Sequence, residues 1–534
     1  MWIVFGGRGG HDDGRTSASR LLLLLLVAGP LATPPPVDGL IVLAVETIAG
    51  KSHWNFMRAM LRSLTDAGHA VTVFTPFPDG DRDNYTEVDT SAAFRMKLDV
   101  DLAEVLKKFA EPSSILPLIV TVSRSLCDAI FRDDRMVAAM RPRSDGGSGY
   151  DMVIVEPVGS ECVSHAATAM GLPLVFVVPS PMISHFEGAF LGHVPNPAVV
   201  SHLMAGHAVP RSFVQRFGNA VLLAYSVFAV RYAEWSLKRE AAAAPKPFDV
   251  LEPVRPSAVF VNSHFATEAS RPLPPNVVQV GGLHLEQPKS LPSDILEFIN
   301  ESSHGVIYFT FGSVVKMSTM PNYIQKSFKE ALAQVSQRVL WKYEGEMEDV
   351  PPNVMIKKWF PQRDILMHPN VKLFISHGGI SGVYETVDAG VPVLGFPLFY
   401  DQHRNIANLV DAGMAISMKL LSVSTVIVLN SILELINNEK YSINAKITSA
   451  RLKDRPISPE KLIVYWTEYI HRHKGVPHLK SHALNLTWYQ YFLLDVIAAI
   501  FILSLIFLFV CYTIIKIIYK NSLKFLHNLK PKSE

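Results

Sequence analysis

Residues 359–402, WFPQRDILMHPNVKLFISHGGISGVYETVDAGVPVLGFPLFYDQ, constrain what this chain can fold into more than any other part of it. At their centre an apolar run, residues 371–375, meets Ser376, His377, Gly378 and Gly379, then a helical pattern over about residues 381–389 and a second apolar run, residues 391–396. That order predicts a strand, a glycine turn, a helix and the next strand. Two residues without side chains let a ligand approach the backbone, and the free N–H groups of the helix's first turn, at the positive end of its dipole, suit a diphosphate. His377 stands beside the turn. Glu385 follows Ser381 by one helical turn, on the same face, where its carboxylate can accept hydrogen bonds from ribose hydroxyls. Asp401 and Gln402 end the stretch and reach toward a sugar, while Trp359 and Gln362 open it with an indole to stack on a base and an amide to read its edge. A GG turn alone serves close packing equally well, and a lone His377 would equally satisfy a backbone carbonyl. The ordered set points to a nucleotide joined to a sugar.

The same alternation recurs along the chain. An apolar strand at residues 40–45, a helix over about residues 55–67 stopped at Gly68, and a strand at residues 70–75 open a doubly wound α/β domain, continued by strands at 152–155 and 174–178. Residues 99–138 read as mostly helical, and the loop-rich residues 179–203 suit a cover over a pocket. A second series is expected to begin at residues 258–261 and to include 306–311, 339–342, 371–375 and 391–396. The chain of 534 residues is too long for one core. Two domains are expected, residues 38–250 and 251–480, joined through a proline-containing crossover at 251–275.

The ends of the chain suggest a membrane. Arg8, Arg15 and Arg20 precede an apolar run at residues 21–27 and small residues beyond it, the pattern of a secretory leader over residues 1–33. Residues 496–515 contain no charge, long enough for a span of about 30 Å. A transmembrane helix is therefore expected over 493–515. Lys516, Lys520, Lys524, Lys530 and Lys532 follow, which places a tail over 516–534 on the cytoplasmic side and makes the protein type I. With 50 Lys and Arg against 48 Asp and Glu, a net charge of +2 gives no footprint for nucleic acid. Of three cysteines, Cys511 falls in the expected span, which leaves Cys127 and Cys162 as the pair available to an oxidising lumen. Asn84, Asn300 and Asn485 begin sequons.

The stretch 359–402 resembles the signature of the UDP-glycosyltransferases, the family of membrane-bound UDP-glucuronosyl- and UDP-glucosyltransferases. The resemblance extends to IAGKSHWNFMRAML, VNSHF, RPLPPNVVQVGGLH, YFTFGS and RPISPEKLIVYWTEYIHRHKG, with N-terminal wording closest to arthropod members. It implies a GT-B fold, two doubly wound α/β domains facing across a cleft, with one C-terminal transmembrane helix. It also implies residence in the endoplasmic reticulum membrane with luminal catalytic domains, and Lys530 and Lys532 resemble a dilysine retrieval signal, although a basic flank alone gives the same pattern. Many relatives carry Asn where Ser381 stands.

For the chemistry, the resemblance makes His53 the catalytic base, and a histidine titrates in the right range for proton abstraction near neutrality. The family's orienting aspartate falls on Glu156, a departure that keeps the carboxylate and adds a methylene; Asp151 or another acid is the alternative. Ser313, in the YFTFGS turn, would hold phosphate with its hydroxyl and N–H. The expected reaction is inverting transfer of a hexose, foremost glucose from UDP-glucose, to hydroxyls of small lipophilic acceptors, a conjugating and detoxifying activity. UDP-glucuronate is the alternative donor, and a catalytically impaired binding protein for hydrophobic molecules is the alternative of another class. The UDP-sugar is a co-substrate and no bound cofactor is expected. The acid pairs at Asp79, Asp81 and Asp83 and at Asp99 and Asp101 lie outside the donor stretch, so no metal is expected either. Self-association suits such an anchored enzyme without leaving a mark in the sequence.

Overall fold

The computed structural model describes residues 39–94, 101, 102, 106, 112–142, 144, 146–158, 161–240, 246 and 255–528. The expected leader, Asp99, the start of the expected domain junction, Lys530 and Lys532 lie outside them.

Two parallel sheets organise the described chain. The first has seven strands in the order β3-β2-β1-β4-β5-β6-β7: β1 (Ile41–Val45), β2 (Ala70–Thr75), β3 (Tyr85–Asp89), β4 (Met152–Val155), β5 (Leu174–Val178), β6 (Ala258–Val261) and β7 (Val277–Gln279). The second has six, in the order β10-β9-β8-β11-β12-β13: β8 (Val306–Thr310), β9 (Arg338–Lys342), β10 (Val354–Lys357), β11 (Val371–Ser376), β12 (Val393–Gly395) and β13 (Ala415–Ser417). Their central strands are apolar throughout because helices cover both faces: every residue of β4, β5, β6 and β8 is buried. In both sheets the strand order reverses at one place, between β1 and β4 and between β8 and β11. Ligands of such sheets collect outside the carboxyl ends of the strands at these switch points.

The helices that matter for the site are α1 (Lys51–Asp66), α2 (Pro112–Phe131), α3 (Phe213–Glu240), α4 (Ile380–Ala389), α5 (Gln402–Asp411), α6 (Pro459–Arg472) and α7 (Leu494–Asn528). Helix α1 forms where Trp54, Met57, Met60, Leu61 and Leu64 recur at helical spacing and bury one stripe. It ends as expected near Gly68, whose φ of +91° suits a residue without Cβ. A disulfide joins Cys127 of α2 to Cys162, which follows β4.

One expected boundary is corrected. Residues 258–261 do not open the second series: β6 pairs in parallel with β5, Val175 against Ala258, and β7 pairs with β6, so both belong to the first sheet. The chain crosses to the second sheet only after Gln279. It also returns, for α6 packs against α1 at the end of the chain expected to belong wholly to the second domain, with Glu468 Oε1 3.6 Å from His69 Nε2. An apolar run shows that a strand will be buried; which sheet edge accepts it depends on the length and path of the connection.

Three described helices are long and apolar enough to cross a membrane: α2, α3 and the segment Leu494–His527 within α7. Helices α2 and α3 bury Leu116, Cys127 and Val230 in one core with strands of the first sheet. Helix α7 buries none of its apolar stretch within the protein and is the candidate span.

Candidate active site between the two sheets

The half of the site expected to take the donor grows from the end of β11. Ser376 Oγ accepts a hydrogen bond from the Gly378 N–H at 3.1 Å, and Gly378 takes φ +84°, which an L side chain rarely adopts. Asn405 of α5 fastens this turn by donating to Gly378 O at 3.0 Å and to Asp401 Oδ2 at 2.8 Å. His377 is seated between two glycines: a Cβ on Gly312 would lie 2.7 Å from its Cε1, and one on Gly379 would lie 2.6 Å from its Nε2. Glycine at those positions is what gives the ring its place. Burial, with the Lys342 ammonium nearby, lowers the His377 pKa to about 4, so the ring is neutral at physiological pH. Lys342 itself donates to Gly312 O at 3.0 Å and pairs with Glu344.

This turn opens into a cleft of about 310 Å³ lined by Ser313, His377, Gly379, Ser381 and Glu385 together with Trp359 and Gln362. Gln362 Nε2 donates to Glu385 Oε2 at 2.5 Å, and burial pushes the Glu385 carboxyl up to about 7. Trp359 is 65% exposed, leaving its indole face open to stack on a base. The start of α4, from Gly379 to Gly382, lines the cleft, and the first N–H groups of a helix have no partner within it. The expected donor residues from Ser313 to Glu385 thus meet in one place.

Asp401 and Gln402 sit apart from that lining. Gln402 is buried and its Oε1 accepts from the N–H groups of Leu398, at 2.9 Å, and Phe399, at 3.3 Å, so it shapes the loop that carries Asp401. Tyr400 in that loop holds φ +55°, an uncommon backbone state for a residue with a side chain. Asp401 in turn faces His53 closely enough for each charge to act on the other's titration.

From the opposite sheet Lys51, Ser52 and Asn55, at the start of α1, line the same cleft. His53 lies on the same turn of α1, and its Nδ1 is 2.6 Å from Oε1 of Glu156, the residue that follows β4. The His53 side chain is 31% exposed and that of Glu156 only 1%. A buried carboxyl group therefore sits beneath an imidazole that remains open to solvent. Burial lowers the His53 pKa, with Glu46 and Asp401 opposing, and raises Glu156 to about 8. Asp151, the alternative acid, is engaged elsewhere: its Oδ2 accepts from the Ile41 N–H at 2.8 Å.

Sequence reasoning missed Glu46. It follows β1 as Glu156 follows β4, and it is fully buried. A glutamate at the end of an apolar strand reads as a solvated strand end, and only the pairing of β1 with β4 brings it to the site. Lys342 was likewise missed, as a polar residue ending a strand. Asp79 and Asp81 serve locally: Asp79 pairs with Arg58 at 2.8 Å, and Asp81 accepts from the Glu87 N–H.

Two parallel sheets whose switch points face one cleft, with a helix N-terminus on one side and a His–carboxylate pair on the other, have the arrangement of the GT-B class of glycosyltransferases. Solved structures support that fold: the chain is similar over 83% of its length to a glycosyltransferase of kitacinnamycin (TM-score 0.51, 15% identity, all of that chain covered). It is similar over 81% to the spinosyn forosaminyltransferase SpnP (TM-score 0.51, 14% identity, 99% of that chain covered). Residues 40–532 match the family described as UDP-glucoronosyl and UDP-glucosyl transferase, and the chain belongs to it. Among curated relatives it is 38% identical to UDP-glucosyltransferase 2 of Dactylopius coccus, covering 89% of this chain and 92% of the relative. It is 30% identical to UDP-glucuronosyltransferase 2B17 of Rattus norvegicus, covering 90% and 93%.

Proposed function

We propose that the chain transfers glucose from UDP-glucose to the hydroxyl groups of small lipophilic compounds, with inversion at the anomeric carbon. His53 Nε2 takes the acceptor's proton while its Nδ1–H donates to Glu156, whose carboxylate stabilises the imidazolium that forms. The acceptor oxygen forms its bond to C1 of the sugar as the bond from C1 to the diphosphate breaks. The departing UDP carries the charge away against the N–H groups at the start of α4, the Ser313 turn and neutral His377. Ser381 adds to the phosphate side, Glu385 holds the ribose, Trp359 and Gln362 hold the uracil, and Asp401 orients the sugar with Gln402 fixing its loop. Attack from the side opposite the leaving group turns an α-linked donor into a β-glycoside. No metal is required, because protein N–H groups occupy the role a cation would have.

The observation that carries this reading is the placement of the His53–Glu156 pair and the His377 turn at the two switch points that face one cleft. UDP-glucuronate is the second reading, favoured by the relatives named as glucuronosyltransferases; glucose leads because the insect relative at 38% identity is named a glucosyltransferase. Helix α7 anchors the enzyme, with the two sheets in the lumen of the endoplasmic reticulum. The exposed Asn84, Asn300 and Asn485 are then available for glycosylation.

The test is a transfer assay on microsomes carrying the full chain, offering UDP-glucose, UDP-glucuronate and UDP-galactose against a panel of phenols and flavonoids, with and without chelator. Glucosides formed equally well with chelator present are expected. Glucuronides in place of glucosides would overturn the donor assignment, and loss of product with chelator the metal-free one.

A further inference from the structure

Adjacent strands β1 and β4 run in parallel register with Val45 opposite Val155. The next residue of each is a glutamate, and Glu46 and Glu156 therefore leave the switch point side by side, 0% and 1% exposed. Two carboxylates that close cannot both be ionised in a buried setting, so the pair keeps a proton. The surroundings decide which of the two holds it. Glu156 Oε1 faces His53 Nδ1 at 2.6 Å, a position that rewards a negative charge. Among the described residues Glu46 Oε1 accepts the Ile48 N–H at 2.8 Å, and its carboxyl faces Glu156. No cation among the described residues pairs with Glu46. The other titratable groups facing the pair are His53, which Glu156 already engages, and Tyr400 from the loop ahead of α5, which brings no positive charge.

We propose that Glu46 is a positioning residue which, as the neutral acid, donates its O–H to Glu156 and holds that side chain as an oriented carboxylate under His53. The dyad becomes a relay of three: Glu46 to Glu156 to His53. This deepens the proposed function and rests on His53 being its base. It also accounts for a glutamate at the orienting position. Glutamate has one more rotatable bond than aspartate, and a second hydrogen bond from Glu46 removes the freedom that the extra methylene introduces. Burial and the neighbouring carboxyl hold the Glu46 pKa well above the usual carboxylate range, in the direction the assignment needs. Glu156 thus ionises before Glu46 as pH rises, and turnover follows the ionisation of Glu156.

The experiment is the pH profile of kcat for the full chain in microsomes, comparing wild type, Glu46→Gln, Glu46→Leu and His53→Ala. Glutamine keeps a donor toward Glu156, so Glu46→Gln should stay within about twofold of wild type and keep its acid limb. Leucine removes the donor: kcat at neutral pH should fall about tenfold and the acid limb should move to higher pH, the effect of one buried hydrogen bond to a charged group. A wild-type limb and kcat in Glu46→Leu, with His53→Ala inactive, would overturn the role of Glu46 and leave the base in place. Activity surviving in His53→Ala would overturn the base itself. Should Glu46→Leu not fold, the infrared difference spectrum of wild type minus Glu46→Gln decides, recorded at pH 9 where Glu156 and Glu385 are ionised: it must contain a protonated-carboxyl band, and its absence would place the proton elsewhere.

Discussion

His53 and Glu156 are 103 residues apart in sequence and 2.6 Å apart in space. The pair exists because β1 and β4 are neighbours at the switch point of the first sheet, which brings the loop after one strand over the end of the other. A carboxylate that is almost fully buried beneath a half-open imidazole is costly for the fold and useful for proton transfer. That trade-off yields a prediction with opposite signs for stability and activity.

Replacing Glu156 by Gln should lower kcat roughly 10²–10⁴-fold, since an amide orients His53 without stabilising its charge. Stability should move the other way. The folded-state pKa of Glu156 is raised from 4.5 to about 8, so the fold prefers the protonated acid. Its contribution is full below about pH 4.5 and lost as pH rises through about 8. Thermal melts should therefore find Glu156→Gln more stable than wild type at pH 8, with the difference closing by pH 5. A larger advantage at pH 5 than at pH 8 would contradict the burial argument.

Trp359 lines the cleft and stands open to solvent. Trp359→Ala should raise the KM for the UDP-sugar about tenfold, in keeping with a stacking contribution of roughly 1–3 kcal/mol, and leave kcat within a few-fold. Initial rates at varied donor concentration measure both. A pure kcat effect would remove Trp359 from donor binding.

Gly379→Ala tests the seating of His377. The added Cβ would lie 2.6 Å from His377 Nε2 and must displace the ring. Overpacking of about 1–3 kcal/mol predicts a loss of UDP affinity of roughly ten- to a hundredfold, read by calorimetry, with the melting transition retained. Unchanged UDP affinity would mean that the ring's position does not matter to the diphosphate.

The Cys127–Cys162 disulfide closes a loop with a sequence separation of 35 and ties α2 to the segment after Glu156. Cys127→Ala should cost about 3 kcal/mol of stability, seen as a lower denaturation midpoint. At temperatures where the variant is folded, KM for the donor should not change, because the second sheet supplies that site.

The donor half of the site was legible because its residues are nearly contiguous: one strand, one turn and one helix carry His377, Gly379, Ser381 and Glu385 in reading order. The acceptor half was legible only in part. His53 could be found from its local motif and Glu156 by resemblance, whereas Glu46 becomes visible only through the register of two strands that the sequence places about a hundred residues apart. The same limit moved β6 and β7 into the first sheet. Their apolar runs announced buried strands, and nothing local to residues 258–261 says that β5 will be the neighbour. Return of α6 to α1 is a third instance, since an amphipathic helix shows a buried face without naming what buries it. The first two-thirds of α7 needed no partner to be recognised.

The most direct test of the account is a single-turnover reaction of the full chain with UDP-glucose and a phenolic acceptor, run beside His53→Ala, with UDP binding measured on both. The account predicts a β-glucoside from wild type, a rate lower by roughly 10²–10⁴-fold in His53→Ala, and the same UDP affinity in each. An α-glucoside, or a His53→Ala enzyme that turns over at the wild-type rate, would contradict it.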